Sequence, residues 1–155
     1  MPSIQQLAAK LNRKAVEGLK KNATAMPADK VAWQPLDVGR TVVSQLAECA
    51  VITGFNARLL IDRAVPPMDM EAFQKAVSDL DTTEKAISAL DASADALAGA
   101  IESFPSADLD QTIKLPWFEE AQSFAEIMLL GYWNNVYHVG QICYMQTLYG
   151  DKEMH

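Results

Sequence analysis

Apolar residues recur at intervals of three and four along four long stretches of the chain. This spacing places them on one face of an α-helix. The four stretches are Ser3 to about Lys21, about Val38 or Gly39 to Arg63, Met70 to Phe104, and about Gln122 to Tyr149. The pattern therefore predicts four long helices and little else that is regular.

Prolines and capping residues divide these stretches. The second stretch ends at Pro66-Pro67, and the third ends at Pro105. Within the third stretch, the segment 80–84 contains polar residues that favour a break and a new helix N-terminus, with Asp81 or Thr82 as the N-cap. We expect a short helix before this break and a long, alanine-rich helix after it.

Two connectors separate the helical stretches. The first, Asn22–Val38, contains two X-Pro pairs that favour extended backbone. The second, Ser106–Ala121, contains a weakly alternating run at Thr112–Leu115 that is compatible with extended structure. Four amphipathic helices with long connectors after the first and third predict an all-α, four-helix bundle in which crossover connections are allowed.

Composition limits the class of protein. The 155 residues, half of them hydrophobic, predict a single domain over residues 1–155 with a substantial core. The net charge is −7 and no basic run occurs, which argues against a nucleic-acid partner. No apolar stretch is long enough to span a membrane, and Met1–Gln6 lacks the features of a signal peptide, so we expect a cytoplasmic protein. In that compartment Cys49 and Cys143 are expected to be free thiols.

Three polar residues stand among apolar neighbours in the predicted helices. Asn134 and His138 are four residues apart and therefore share one face of the last helix. Glu48 is the only charged residue between Arg40 and Arg58 in the second helix. A buried carboxylate must be paired, protonated or bound to a metal. These residues are the candidate site.

Four segments together resemble the DinB-like (YfiT-like) superfamily of four-helix bundles. They are Lys30–Pro35, Val43–Ala50, Ile113–Trp117 and His138–Gln141. Metal-binding members of this superfamily take one histidine from the second helix and two from the fourth. Mapped onto this chain, the resemblance places His138 at one ligand position, Asn134 at another and Glu48 at the helix-two position.

The resemblance implies two different functions. One is a divalent-metal-dependent thiol transferase or hydrolase, in which Glu48, Asn134 and His138 hold Ni, Zn, Mn or Fe and a small thiol takes an open position. The alternative is a non-catalytic bundle that has lost the metal and binds a small molecule or forms a dimer. In a metal-free cluster, Glu48 would pair with His138 and favour its charged form. The sequence leaves open whether the chain is an enzyme.

The second helix is apolar around most of its circumference. That is more apolar surface than one four-helix core can cover. Members of the superfamily commonly pair through helix faces. We therefore expect a two-fold homodimer that buries part of the second helix.

Overall fold

The computed structural model describes all residues, 1–155, and is predominantly helical. The helices are α1 (Ile4–Thr24), α2 (Val42–Asp62), α3 (Met70–Asp79), α4 (Thr83–Glu102), α5 (Phe124–Ile127) and α6 (Leu130–Leu148). Strands β1 (Thr112–Ile113) and β2 (Gln122–Ser123) form one antiparallel pair, and short 3₁₀ turns occupy Pro35–Asp37 and Ser106–Asp108. None of the helices is both long enough and apolar enough to cross a bilayer.

Four of the helices form the bundle. Both α1 and α2 pack against α4 and α6, whereas α1 and α2 barely touch each other. Bundle helices that follow each other along the chain, α1 and α2 as well as α4 and α6, therefore stand diagonally opposite each other in space. The long connectors are needed because each crosses an end of the bundle to reach the diagonal position. The prediction of an all-α, four-helix bundle with crossover connections is confirmed.

Helix α2 begins later than the sequence suggested. We expected its start at Val38 or Gly39, but the residues before it form a 3₁₀ turn in which Leu36 and Asp37 have φ angles of 56° and 58°. These angles keep helical backbone from extending before Val38, and the extended backbone of Thr41, with φ −73° and ψ 159°, places the first helical residue at Val42. The hydroxyl of Thr41 then accepts a hydrogen bond from the Ser44 amide at 3.0 Å and fixes the N-terminus of α2.

The periodicity of the last apolar stretch predicted one helix, but the structure has β2, α5 and α6 there. The stretch begins as strand β2, and Ser123 then caps the short helix α5 through a capping box with Glu126. The break before α6 coincides with a contact from α1, because the Asn12 side-chain amide donates to the Met128 carbonyl at 2.8 Å. That bond is formed with a residue far away in the sequence, so local periodicity could not reveal it.

Helix α3 covers part of the apolar surface of α2. The predicted break in the third stretch is confirmed, with Thr82 as the N-cap of α4. Helix α3 lies against α2 and has no buried residue of its own, while α2 packs most extensively on α4. Part of the apolar circumference of α2 is thus covered within one chain, while Ile61 of α2 stays 60% exposed. The two-fold homodimer through α2 stays a prediction.

A buried polar belt divides the core into two hydrophobic clusters. One cluster contains Ala8, Leu60, Leu97 and Ile127, and the other contains Leu19, Leu46, Leu90 and Ile142. Between them lie four side chains that are at most 3% exposed, namely Asn12, Thr53, Asn56 and Asn135. Gly131 of α6 lies at this level, where a Cβ atom would come within 2.7 Å of both Asn12 Oδ1 and Leu97 Cδ2.

The close packing at Gly131 gives a test of this arrangement. Gly131→Ala should lower the free energy of unfolding by about 1–3 kcal/mol, because the added methyl group overpacks the belt. Gly99→Ala in α4 is the matched control, since a Cβ there meets nothing within 4 Å. It should stabilise the protein by up to about 1 kcal/mol through helix propensity. Urea denaturation measures both; equal stability of Gly131→Ala and wild type would contradict the packing described.

Candidate functional site

The packing of α2 on α6 brings two of the three candidate residues together. His138 Nε2 lies 3.3 Å from Glu48 Oε1. The His138 residue is 1% exposed, whereas the Glu48 side chain retains 23% exposure. The pair therefore connects the interior of the bundle to its surface.

His138 makes a second contact with α2. Its Nδ1 atom lies 3.1 Å from Oε1 of the buried Gln45, whose own amide nitrogen is directed to Met145 Sδ at 3.3 Å. Both ring nitrogens thus face oxygen atoms. A neutral imidazole has only one N–H hydrogen and can donate to only one of these oxygens.

Arg40 completes the cluster from outside. Its Nη2 atom lies 2.6 Å from Glu48 Oε2, so Glu48 stands between a guanidinium and an imidazole. Neither Arg40 nor Gln45 was among the residues that the sequence predicted for the site. A signal for Arg40 was present, because a carboxylate in an apolar helix needs a partner and Arg40 is the nearest preceding cation in the sequence.

Asn134 lies apart from the pair. Its amide nitrogen is 3.5 Å from Cys49 Sγ, and no hydrogen bond joins it to Glu48 or His138. Asn134 also borders a cavity on the outer side of α2. The structure therefore unites Glu48 and His138 and places Asn134 next to a different feature.

Burial dominates the ionisation of His138. It lowers the pKa of the imidazole below the usual value; the negative charge of Glu48 opposes this effect, and the positive charge of Arg40 reinforces it. His138 is therefore neutral at pH 7, contrary to the expectation that pairing with Glu48 would keep it charged. The guanidinium of Arg40 offsets part of the influence that Glu48 would otherwise have.

Neither cysteine is an activated nucleophile. Burial raises the pKa of Cys49, which is fully inaccessible, and also raises the pKa of Cys143. Both thiols are free, as predicted. A thiolate is the reactive form of cysteine, so the raised pKa values make both thiols less reactive than an ordinary cysteine at neutral pH.

The donor set fits a divalent ion poorly. Two protein donors, Glu48 and His138, converge, whereas catalytic zinc sites commonly take three. The guanidinium of Arg40 already provides a positive charge beside Glu48. No group of three or more His, Cys, Asp or Glu side chains with metal-binding geometry occurs elsewhere in the structure. Metal binding by Glu48, Asn134 and His138 stays a prediction.

The cavity beside Asn134 is large and apolar. It lies between α2, α3, Trp117 and the start of α6 and has a volume of about 580 Å³. Ten of its fourteen lining residues are hydrophobic, which is typical of a small-molecule site. Sequence periodicity did not reveal it, because the cavity forms only where α3 folds back over α2.

The neutrality of His138 predicts how stability depends on pH. Below pH about 6.5 the unfolded chain takes up a proton that the folded chain resists, so the free energy of unfolding falls as the pH falls. When the pH is lowered from 7 to 5.5, the free energy of unfolding should fall by up to about 1 kcal/mol more for wild type than for His138→Gln. Urea denaturation with a chelator present measures this difference. If wild type instead gains stability relative to the variant, His138 is protonated in the folded state.

The comparisons with known proteins agree with the fold. The sequence profile of the DinB superfamily matches residues 8–142, which include both residues of the Glu48–His138 pair. No curated protein is significantly similar to the sequence. The profile match spans most of the 155 residues, and the chain therefore belongs to the DinB superfamily.

Proposed function

We propose that this chain is a non-catalytic member of the superfamily that binds an apolar small molecule in the cavity between α2 and α3. The observation that carries the proposal is the cavity itself, whose volume of about 580 Å³ lies within the range of ligand sites of about 300–1,000 Å³. Its walls include Val51, Ile52 and Phe55 from α2 and Trp117 from the second connector.

Exposed apolar side chains supply the driving force for binding. Met68 and Met70 are 53% and 58% exposed at the rim, and Trp117 is 48% exposed. Phe73 of α3 also lines the cavity, although no residue of α3 is buried. A ligand would bury this surface under α3 and gain the free energy of removing it from water.

The Arg40–Glu48–His138–Gln45 cluster has a structural role in this proposal. It joins α2 to α6, and these two helices form adjoining walls of the cavity. The two free thiols have raised pKa values and the cluster contains two converging metal donors, so neither feature supplies a nucleophile or a complete ligand set. These observations favour binding over catalysis.

The second candidate function is a divalent-metal-dependent thiol transferase or hydrolase. The observation in its favour is the 3.3 Å separation of Glu48 Oε1 and His138 Nε2, because two ligands of one ion lie at such a separation. The two candidates differ in what ligand binding requires. A metal enzyme should lose binding of a thiol co-substrate in a chelator, whereas the cavity should bind an apolar molecule equally well with or without one.

We also propose that two copies pair through the outer face of α6. This helix contains no Asp, Glu, Lys or Arg in its nineteen residues. Its exposed face carries Trp133, Tyr137 and Tyr144, which are 71%, 63% and 65% exposed, with Leu148 beyond them. These positions fall on one stripe of the helix. An uncharged stripe suits a second copy, because each chain carries a net charge of −7 and charged faces would repel.

Two further features favour contact at this stripe. Gly140 lies within it, and a Cβ there would meet nothing within 4 Å, so packing inside the chain does not require a glycine. A glycine lowers helix stability by about 1 kcal/mol but lets a second helix approach closely. The three aromatic side chains would together bury roughly 400 Å², about half of the ~800 Å² that each partner contributes to a standard interface.

The cavity is tested with N-phenyl-1-naphthylamine, an uncharged probe that fluoresces in apolar surroundings. It should bind saturably, with one probe per chain and with equal affinity in the presence of a chelator. Ala76→Trp, which fills the α3 side of the cavity, should weaken binding at least about tenfold. Ser78→Trp adds the same side chain at an exposed position of α3 outside the lining. If Ala76→Trp binds the probe like Ser78→Trp, the ligand site is elsewhere.

The α6 interface is tested by light scattering after size exclusion at micromolar concentration. Wild type should show twice the chain mass of 17.0 kDa. Tyr144→Lys places two like charges in the centre of the stripe and should produce monomers. Ala96→Lys, at an exposed position of α4, should leave the dimer intact. A wild-type monomer, or a dimer that tolerates Tyr144→Lys, would contradict the proposal.

A further inference from the structure

The lining of the cavity contains no cation. Its only charged residue is Asp69, which precedes α3. One carboxylate oxygen of Asp69 accepts hydrogen bonds from the amides of Glu71 and Ala72, at 2.9 and 3.0 Å, so Asp69 serves as the N-cap of α3. The polar groups that remain in the lining are the amides of Asn56 and Asn134.

Cations on the neighbouring helices are engaged elsewhere. On α2, Arg58 binds Asp62 at 3.0 Å, and on α3, Lys75 binds Asp79 at 2.6 Å. Neither Arg58 nor Lys75 belongs to the lining. A carboxylate, sulfonate or phosphate in the cavity would therefore be desolvated without a counter-ion and would also face the negative charge of Asp69. Burial of an unpaired ion is strongly unfavourable.

Five of the eleven remaining lining residues are aromatic or sulfur-containing. The rings of Phe55 and Trp117 lie 5.9 Å apart at a tilt of 55°, and Phe73 faces them from α3. Met68 and Met70 add flexible thioethers, which adapt their shape and pack well against rings. Such walls match a flat aromatic molecule in size and in chemistry.

We propose that the cavity selects uncharged aromatic molecules and rejects anionic ones. This inference rests on the proposed function and adds the chemical class of the ligand. It excludes thiol conjugates that carry free carboxylates as occupants of this cavity, since nothing in the lining would neutralise them.

A matched pair of probes tests the inference. N-phenyl-1-naphthylamine and 8-anilinonaphthalene-1-sulfonate share one ring system and differ by a sulfonate. Fluorescence titration of the full chain should give at least about tenfold weaker binding for the sulfonate, because its charge has no partner. Ala76→Lys should supply a cation at the cavity wall and strengthen sulfonate binding several-fold. Ser78→Lys adds the same charge at a position outside the lining and should leave the affinity for the sulfonate unchanged.

The outcomes separate the two proposals. If the sulfonate binds as tightly as the uncharged probe and Ala76→Trp weakens both, the cavity binds ligands but does not select against anions, and the inference is overturned. The same holds if Ser78→Lys strengthens sulfonate binding as much as Ala76→Lys does. If neither probe binds wild type saturably, the proposed function itself fails.

Discussion

A buried histidine fixes how α6 lies against α2, and much of the molecule depends on that contact. Both nitrogens of His138 face side chains of α2, Gln45 on one side and Glu48 on the other. Such contacts are directional, unlike the packing of apolar side chains, so they set one register between two helices that hydrophobic burial alone would leave free to slide. Arg40 holds Glu48 from the solvent side and keeps the carboxylate in place. Since α2 and α6 are walls of the cavity, the cluster also shapes the site that we propose binds a ligand.

The polar belt extends the same constraint through the bundle. Asn12 of α1 donates to the Met128 carbonyl and so marks the point where α5 ends and α6 begins. Asn135 donates to Thr53 at 3.4 Å, one helical turn before His138. Close approach of α1 and α6 at this level needs the glycine at position 131. The two hydrophobic clusters supply most of the burial, whereas the belt between them specifies which helices meet and at what height.

Periodicity was enough to predict the fold class and the helices of the first three stretches, because those helices carry their own apolar faces and N-caps. The pairing of Glu48 with His138 was also predictable, since an isolated carboxylate in an apolar helix needs a partner. Arg40 was missed because a helix that starts at Val38 or Gly39 would place Arg40 about two turns from Glu48, whereas Arg40 in fact precedes the N-cap Thr41 and reaches the carboxylate. The break before α6 depends on Asn12, which is 116 residues from Met128. The cavity was missed because the sequence shows that α3 has an apolar face but does not show that this face lies over α2 at a distance that leaves an open space.

A guanidinium, an imidazole and two side chains of α2 form a polar cluster where the resemblance to the superfamily predicted a metal site, and we expect this cluster to hold no ion. Elemental mass spectrometry tests it directly, on protein purified without a metal-affinity column, incubated with Zn, Ni, Mn and Fe, and desalted. The account predicts a content well below one ion per chain, unchanged in His138→Ala. A nearly stoichiometric ion in wild type that disappears in His138→Ala would contradict the account and identify a metal protein.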